Sequence, residues 1–373
     1  MLSRERILRT FRFEQTDRPG VDLMEGHVWK ELMDWFQGAR GFTDPEQVVE
    51  FLDPDSRWTG LQWAGPVPPA PDPMAAAPAA HLFSKDLRTG PLGAATTVKE
   101  VEAYPRGDPG QLVPRDYAGL RARHPGKALV LCPGWMPLFW GACEAFGLEN
   151  ALIHAQNEPS LFEAFVSGQH DFYMDLLVRA AAAAQGICDI CWLGDDYAGQ
   201  RNLLISPDAW RRLVKPYLAD QVRVIRENGM FVLLHSCGSV RPILPDLIDI
   251  GVNGLLVFQT TAEGMDPESI ARDFGGRMVF YGGLDVQNLL SFGSRDDVAR
   301  EVRRNVSAFE HCGGYVVANS HHGEQSINGG NIVAMFEAAR AMGAGGSPGV
   351  SGSPGVSGSP GVSGSPGVSG VRA

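Results

Sequence analysis

Positive charge is scarce in this chain: 32 Lys and Arg stand against 43 Asp and Glu, giving a net charge of -11 over 373 residues. With no basic surplus to neutralise phosphates, a nucleic-acid partner is excluded. Long apolar runs are missing as well. No stretch approaches the roughly 18 uncharged apolar residues of a membrane span, and the opening Met1-Leu2-Ser3-Arg4-Glu5-Arg6 has no apolar secretory core. No membrane partner is expected, and the composition predicts a soluble, acidic, cytoplasmic protein. The six cysteines are too few and too scattered for a disulfide framework. They are expected to be reduced, with one available as a metal ligand. Length decides less: 373 residues would hold two domains, but an α/β barrel often uses about 250 or more as one unit.

Gly and Pro are plentiful and unevenly placed. Residues 347–370 repeat Ser-Pro-Gly-Val-Ser-Gly four times before Val371-Arg372-Ala373. Pro and Gly in every repeat deny regular backbone bonding, and one Val per repeat does not offset the ordering entropy. Residues 346–373 therefore read as a flexible tail without catalytic role, an elastomer-like interaction segment being the sharper alternative. Residues 63–97 are too rich in Pro, Ala and Gly for barrel units, and read as a covering excursion of loops or hairpins.

Elsewhere short apolar runs alternate with helical patterns, the signature of βα units and a parallel sheet. Strands are expected at 128–131, 187–193, 230–234, 254–258, 278–281 and 315–318. Helices are expected at 159–184, 206–229, 240–250, 267–274, 295–310 and 330–342. Ser206-Pro207-Asp208 opens its helix with a Ser cap and Pro at the first helical position. The barrel is expected over 1–345, with 1–125 as an N-terminal extension carrying early barrel elements.

The strongest chemical signal is Met230-Phe231-Val232-Leu233-Leu234-His235-Ser236-Cys237-Gly238, an apolar strand that ends in two soft metal ligands one residue apart. An imidazole and a thiolate suit zinc, which needs three protein ligands if one position stays open for substrate. The bland reading is a buried Cys beside a hydrogen-bonded His. The other late strands also end in functional groups: Asp195 and Asp196, then Gln259, then Gly282, Gly283 and Asp285, then Ser320, His321 and His322. In an α/β barrel such ends converge on one face, so these clusters are expected to line one pocket. His321 and His322 are the candidates for a third ligand, His322 reading more simply as a solvent-facing neighbour. Cys312 precedes its strand and belongs at the opposite face. Cys188 and Cys191 read as packing and Cys143 as core, while Cys132 ends an earlier strand and stays possible. Asp195 and Asp196 have a plainer reading as turn or helix caps.

These residues resemble the uroporphyrinogen decarboxylase superfamily, and within it the methylcobalamin-dependent methyltransferase branch, over roughly residues 2–343. The resemblance is carried by Ser3-Arg4-Glu5-Arg6 with Asp17-Arg18-Pro19, by Gly194-Asp195-Asp196, and by Leu203-Leu204-Ile205-Ser206-Pro207 with Lys215-Pro216. Further carriers are His235-Ser236-Cys237-Gly238-Ser239-Val240, Gly282-Gly283-Leu284-Asp285-Val286-Gln287 and Gly313-Gly314-Tyr315 running to Asn319-Ser320-His321. It implies an α/β fold of distorted (β/α)8 type with the pocket at the strand C-termini. It also implies that the His-x-Cys pair and a later Cys hold the zinc that activates a thiol acceptor. That later Cys falls at His321 here, and two imidazoles with one thiolate leave a more Lewis-acidic centre than one imidazole with two thiolates. Asp195, Asp196, Glu263 or Glu324 would complete the shell or hold a ligating His.

The expected activity is thus methyl transfer from a corrinoid cofactor such as methylcobalamin, carried on a partner protein, to a small-molecule acceptor activated by zinc on His235, Cys237 and His321. Asp195, Asp196 and Asp285 would act in the catalytic machinery, with Gln259, Gly282, Gly283, Ser320 and Arg201 contacting substrate. Decarboxylation of a tetrapyrrole is the first alternative. Members of that branch carry an Arg-rich Met-Arg-Gln-Ala-Gly-Arg pattern for substrate carboxylates, whereas this chain has Asp22-Leu23-Met24-Glu25-Gly26-His27-Val28-Trp29. Arg57, Arg115, Arg121 and Arg201 leave room for a small anionic substrate. A non-catalytic barrel binding a corrinoid or tetrapyrrole is the second alternative, with Trp135, Phe139, Trp140 and Trp192 facing the macrocycle.

Overall fold

Short strands buried on both faces, their side chains alternating between an inner and an outer layer, build the centre of the molecule. The structure is a computed structural model, and it describes residues 1–65, 89–321 and 327–343. Eight parallel strands are present among these residues: β1 (Gly20–Val21), β2 (Ser56–Trp63), β4 (Ala128–Cys132), β5 (Ile190–Gly194), β6 (Phe231–His235), β7 (Gly254–Phe258), β8 (Val279–Leu284) and β9 (Tyr315–Asn319). A short β3 (Leu112–Pro114) pairs antiparallel with β2, and the order is β1-β9-β8-β7-β6-β5-β4-β2-β3. Inward residues such as Val130, Ile190, Leu233, Val279 and Val316 form one buried cluster. Their alternates Leu129, Leu131, Cys191, Val232, Leu234, Phe280 and Val317 pack with the surrounding helices in another. Burial on both faces is why these strands read as continuous apolar runs.

The barrel closes between β1 and β2 through Asp55. Its N–H donates to the Val21 carbonyl at 2.9 Å, and its carboxylate accepts from the Val21 N–H at 2.9 Å. The same carboxylate accepts from Arg6 at 2.8 Å and from both terminal nitrogens of Arg18 at 2.8 and 2.9 Å. Arg4 reaches Asp189 at 2.8 Å below β5. The Arg4-Glu5-Arg6 and Asp17-Arg18 segments therefore fasten the first helix, Ser3–Phe11, across the seam.

The helices at Pro159–Ala184, Pro267–Phe274 and Arg295–Phe309 stand where the pattern places them. The expected helix at 206–229 is two helices, Pro207–Leu213 and Lys215–Glu227. Ser206 does cap the first, its Oγ accepting from the Ala209 N–H at 3.2 Å. Pro216 has no N–H for the next turn and its ring obstructs the carbonyl four residues back, so the helix breaks at Val214. The expected helix at 240–250 begins as a 3-10 turn, Arg241–Ile243, before Leu244–Ile250. β5 starts at Ile190, later than expected, because Ile187 and Cys188 still donate to the Ala184 carbonyl at the helix end. Cys188 and Cys191 are both buried in the outer layer, so they pack as expected but share one cluster.

The repeat at 346–373, His322 and Glu324 lie outside the described residues, as does most of the 63–97 excursion. No helix among the described residues is long and apolar enough to cross a membrane.

Candidate metal site at the strand ends

His235 ends β6, Cys237 lies in the following turn, and His321 lies just beyond β9. One ligand atom from each falls within 4.8 Å of the others. His235 Nε2 and Cys237 Sγ are 3.5 Å apart, about the tetrahedral edge that roughly 2.0 Å Zn–N and 2.3 Å Zn–S bonds produce. His235 Nδ1 is held at 2.7 Å by Glu25 Oε1, leaving Nε2 for the metal. Asp196 Oδ1 lies 3.8 Å from His235 Nε2 and accepts from the Cys237 N–H at 2.8 Å, within reach of a fourth position.

Burial alone would lower the His235 pKa, but the Glu25 carboxylate outweighs it and the net direction is up. Burial pushes the Cys237 thiol well above its ordinary value, helped by the negative charges of Asp196 and Glu25. A divalent cation inverts that balance, since a coordinated thiol gives up its proton.

Glu25 escaped the sequence reading. It stands past the end of β1, a strand of only two residues, with a left-handed φ of 54° that aims its side chain into the cleft. Gly26 follows at φ 61°, and a Cβ there would come within 2.4 Å of the Trp58 ring. Asn319 braces both sides of the site: its Oδ1 accepts from the Met24 N–H at 3.0 Å and its Nδ2 donates to the His321 carbonyl at 2.8 Å. Polar residues past a strand end were the available signal, and β1 is too short to show itself as a strand.

A cleft of about 1190 Å³ opens beside the trio, lined by His235, His321, Glu25, Asp196, Glu144 and Cys132, with Trp58, Trp135, Trp140 and Trp192. Gln259, Gly282, Gly283, Asp285, Ser320 and Arg201 are not among its lining residues. Gln259 braces the turn after Cys237, its Oε1 accepting from the Gly238 N–H at 2.9 Å and Gln200 Nε2 at 2.8 Å. Gly282 and Gly283 belong to β8 rather than to the loop after it. Their carbonyls accept from Tyr315 Oη at 2.8 Å and Asn305 Nδ2 at 3.1 Å. Asp285 accepts from the Gln287 and Asn288 N–H groups at 2.9 and 3.2 Å. Ser320 is buried, Arg201 is exposed, and Glu263 is exposed on the neighbouring turn.

Asp195 and Asp196, adjacent in sequence, part company. Asp196 lies beside the trio, while Asp195 is buried and accepts from the N–H groups of Leu138, Phe139 and Trp140 at 3.0, 2.8 and 2.8 Å. It thereby caps the helix Phe139–Phe146 from across the barrel. Burial pushes its carboxyl up to about 7, against the downward pull of the three amides. Phe139 faces the helical layer, ringed by Phe162 and Tyr197, rather than the cleft. Cys312 is half-buried and outside the trio, its Sγ 3.6 Å from the Phe309 carbonyl. Arg57 and Arg121 are engaged by Glu46 and Asp189, and Arg115 lies at the cleft mouth.

Comparison with known proteins bears on the family and the fold. The family model described as uroporphyrinogen decarboxylase (URO-D) matches residues 142–342. No curated protein sequence matches the chain at a significant level. Among solved structures, a methyltransferase from Methanosarcina mazei is similar in fold, with a TM-score of 0.61 at 17% identity, covering 91% of this chain and 99% of its own. A D-psicose 3-epimerase with D-tagatose from Clostridium cellulolyticum H10 is similar at a TM-score of 0.34 and 14% identity, covering 65% of this chain and 84% of its own.

Proposed function

The chain belongs to the uroporphyrinogen decarboxylase family, and from that premise we propose that it is a zinc-dependent methyltransferase, moving a methyl group from a corrinoid on a partner protein to a small-molecule acceptor. The observation that carries this reading is the convergence of His235, Cys237 and His321 on one point, with Glu25 on the far nitrogen of His235. A metal held there supplies Lewis acidity that makes a bound acceptor nucleophilic at neutral pH. The fold shared with a methyltransferase supports the same reading.

The protein's own residues have definable work in this scheme. Glu25 keeps the His235 ring in one orientation and one tautomer. Cys237 must lose its proton to bind, so loading releases a proton and weakens as pH falls. Asp196 fixes the Cys237 backbone and stands ready as a further oxygen ligand. A corrinoid, when bound, would supply the methyl group as an electrophile, keeping the bonding pair itself, to the acceptor's lone pair, and the acceptor's proton would pass to solvent. Tetrapyrrole decarboxylation is disfavoured by charge: Glu25 occupies the cleft within the segment where carboxylate-binding arginines would be needed.

The reading is tested with methylcobalamin and a panel of thiol acceptors, followed by the absorbance change on loss of the cobalt-bound methyl. Zinc-loaded protein should turn over, and Cys237→Ser and chelator-treated protein should not. Turnover unaffected by either treatment contradicts the proposal.

A further inference from the structure

Glu144 lies on the helix Phe139–Phe146 and lines the cleft, yet no ligand of the metal trio uses it. It is only 5% exposed, and its Oε2 has no hydrogen-bond partner. Trp140 hydrogen-bonds the same carboxyl, but a buried oxygen left without a partner is costly, and a ligand that supplies that partner recovers the cost. Beside it the cleft wall is indole. Trp135 and Trp192 pack with ring centres 5.9 Å apart, and both stand edge-on to His235, at 5.2 and 5.9 Å. Gly194 allows this approach, since a Cβ there would come within 2.4 Å of the Trp135 ring.

The charges in the cleft are segregated. Glu25, Asp196 and Glu144 occupy its inner part, while the lining arginines, Arg115 and Arg123, are exposed at the mouth together with Asp116. We propose that the inner cleft is a subsite for an organic ammonium cation, quaternary or protonated, held by the indole faces of Trp135, Trp140 and Trp192 and paired with the Glu144 carboxylate. Indole faces carry negative quadrupole density and attract such cations most strongly where water is excluded. An anionic group in the same place would meet three carboxyls. Even with a divalent metal and a thiolate at the trio, Glu25, Asp196 and an ionised Glu144 leave this region negative. Burial, with the charges of Asp195 and Asp196, pushes the Glu144 carboxyl up to about 8, and a cation alongside would draw it down and release a proton. This inference rests on the methyl-transfer reading only in making the acceptor a compound that carries this ammonium group beside a separate thiol, whose sulfur lone pair takes the methyl; binding itself needs no metal.

Choline and its uncharged tert-butyl analogue are the probes, titrated into the full chain by calorimetry and tryptophan fluorescence, with and without zinc. Choline should bind saturably, and the analogue about tenfold more weakly or worse. Glu144→Gln should weaken choline while leaving the analogue unchanged. Equal binding of the two probes, preference for acetate over choline, or no saturable choline binding would each overturn the proposal. The choline and analogue comparison on wild type needs no variant to fold. Zinc bound without choline binding defeats this inference alone, and choline binding by a protein that takes up no zinc even when it is supplied defeats the methyltransferase reading alone.

Discussion

Glu25 Oε1 lies 2.7 Å from His235 Nδ1, although 210 positions separate the two residues. The contact exists because closure of the barrel between β1 and β2 brings the turn after the first strand over the end of β6. Removing the carboxylate frees the imidazole to rotate and reduces its basicity toward a metal. Glu25→Gln should therefore weaken zinc binding by about ten- to a hundredfold, read by competition with a chromophoric chelator. Unchanged affinity would show that the contact does not serve the metal.

His321 gives the proposed donor set a second imidazole beside the single thiolate of Cys237. Cobalt(II) in place of zinc reports each thiolate through its charge-transfer absorption. His321→Cys should keep metal binding and raise that absorption relative to wild type, which has the single thiolate of Cys237. A spectrum identical to wild type would mean that position 321 is not a ligand.

Glu144 makes stability depend on pH. Its folded-state value, pushed up to about 8 by burial, stands above the ordinary 4.5. The folded protein thus holds a proton that the unfolded chain has released between those values, and stability falls as pH rises through that window. Asp195, up to about 7, and Asp22, up to about 6, act in the same sense. Glu144→Gln should flatten the decline in metal-free protein by on the order of a few kcal/mol at most, measured as Tm between about pH 5 and pH 8. A decline as steep as wild type would contradict the assignment.

Asp195 satisfies three backbone N–H groups at the start of one helix. Asp195→Ala leaves those donors buried without an acceptor and should destabilise the fold by roughly 3 kcal/mol or more, seen in denaturant unfolding. Zinc affinity should change far less than in Glu25→Gln. The reverse pattern would place Asp195 in the site.

The His-x-Cys pair and the strands from β4 to β9 were legible because each strand is a continuous apolar run ended by polar residues. β1 was not, since two residues carry no periodicity, and Glu25 was lost with it. Asp195 and Asp196 sit at the end of one strand, where successive side chains point opposite ways, so one caps a helix and the other accepts from the Cys237 N–H beside the candidate metal site. Gly282 and Gly283 read as loop because glycine weakens a strand pattern. Here the ladder continues through them because their left-handed φ values of 132° and 93° bring the backbone against Phe258 and Tyr315. The break at Val214 was visible in Lys215-Pro216, whose effect on a helix is general. Contacts such as Glu25 with His235 depend on closure of the whole barrel and leave no local trace in sequence.

The most direct measurement is the metal content of purified protein, wild type beside His235→Ala, Cys237→Ala and His321→Ala. Close to one zinc per chain in wild type, lost in all three variants that remain folded, is the expected result. Wild-type protein that binds no metal even when zinc is supplied would contradict the proposed site and the chemistry built on it.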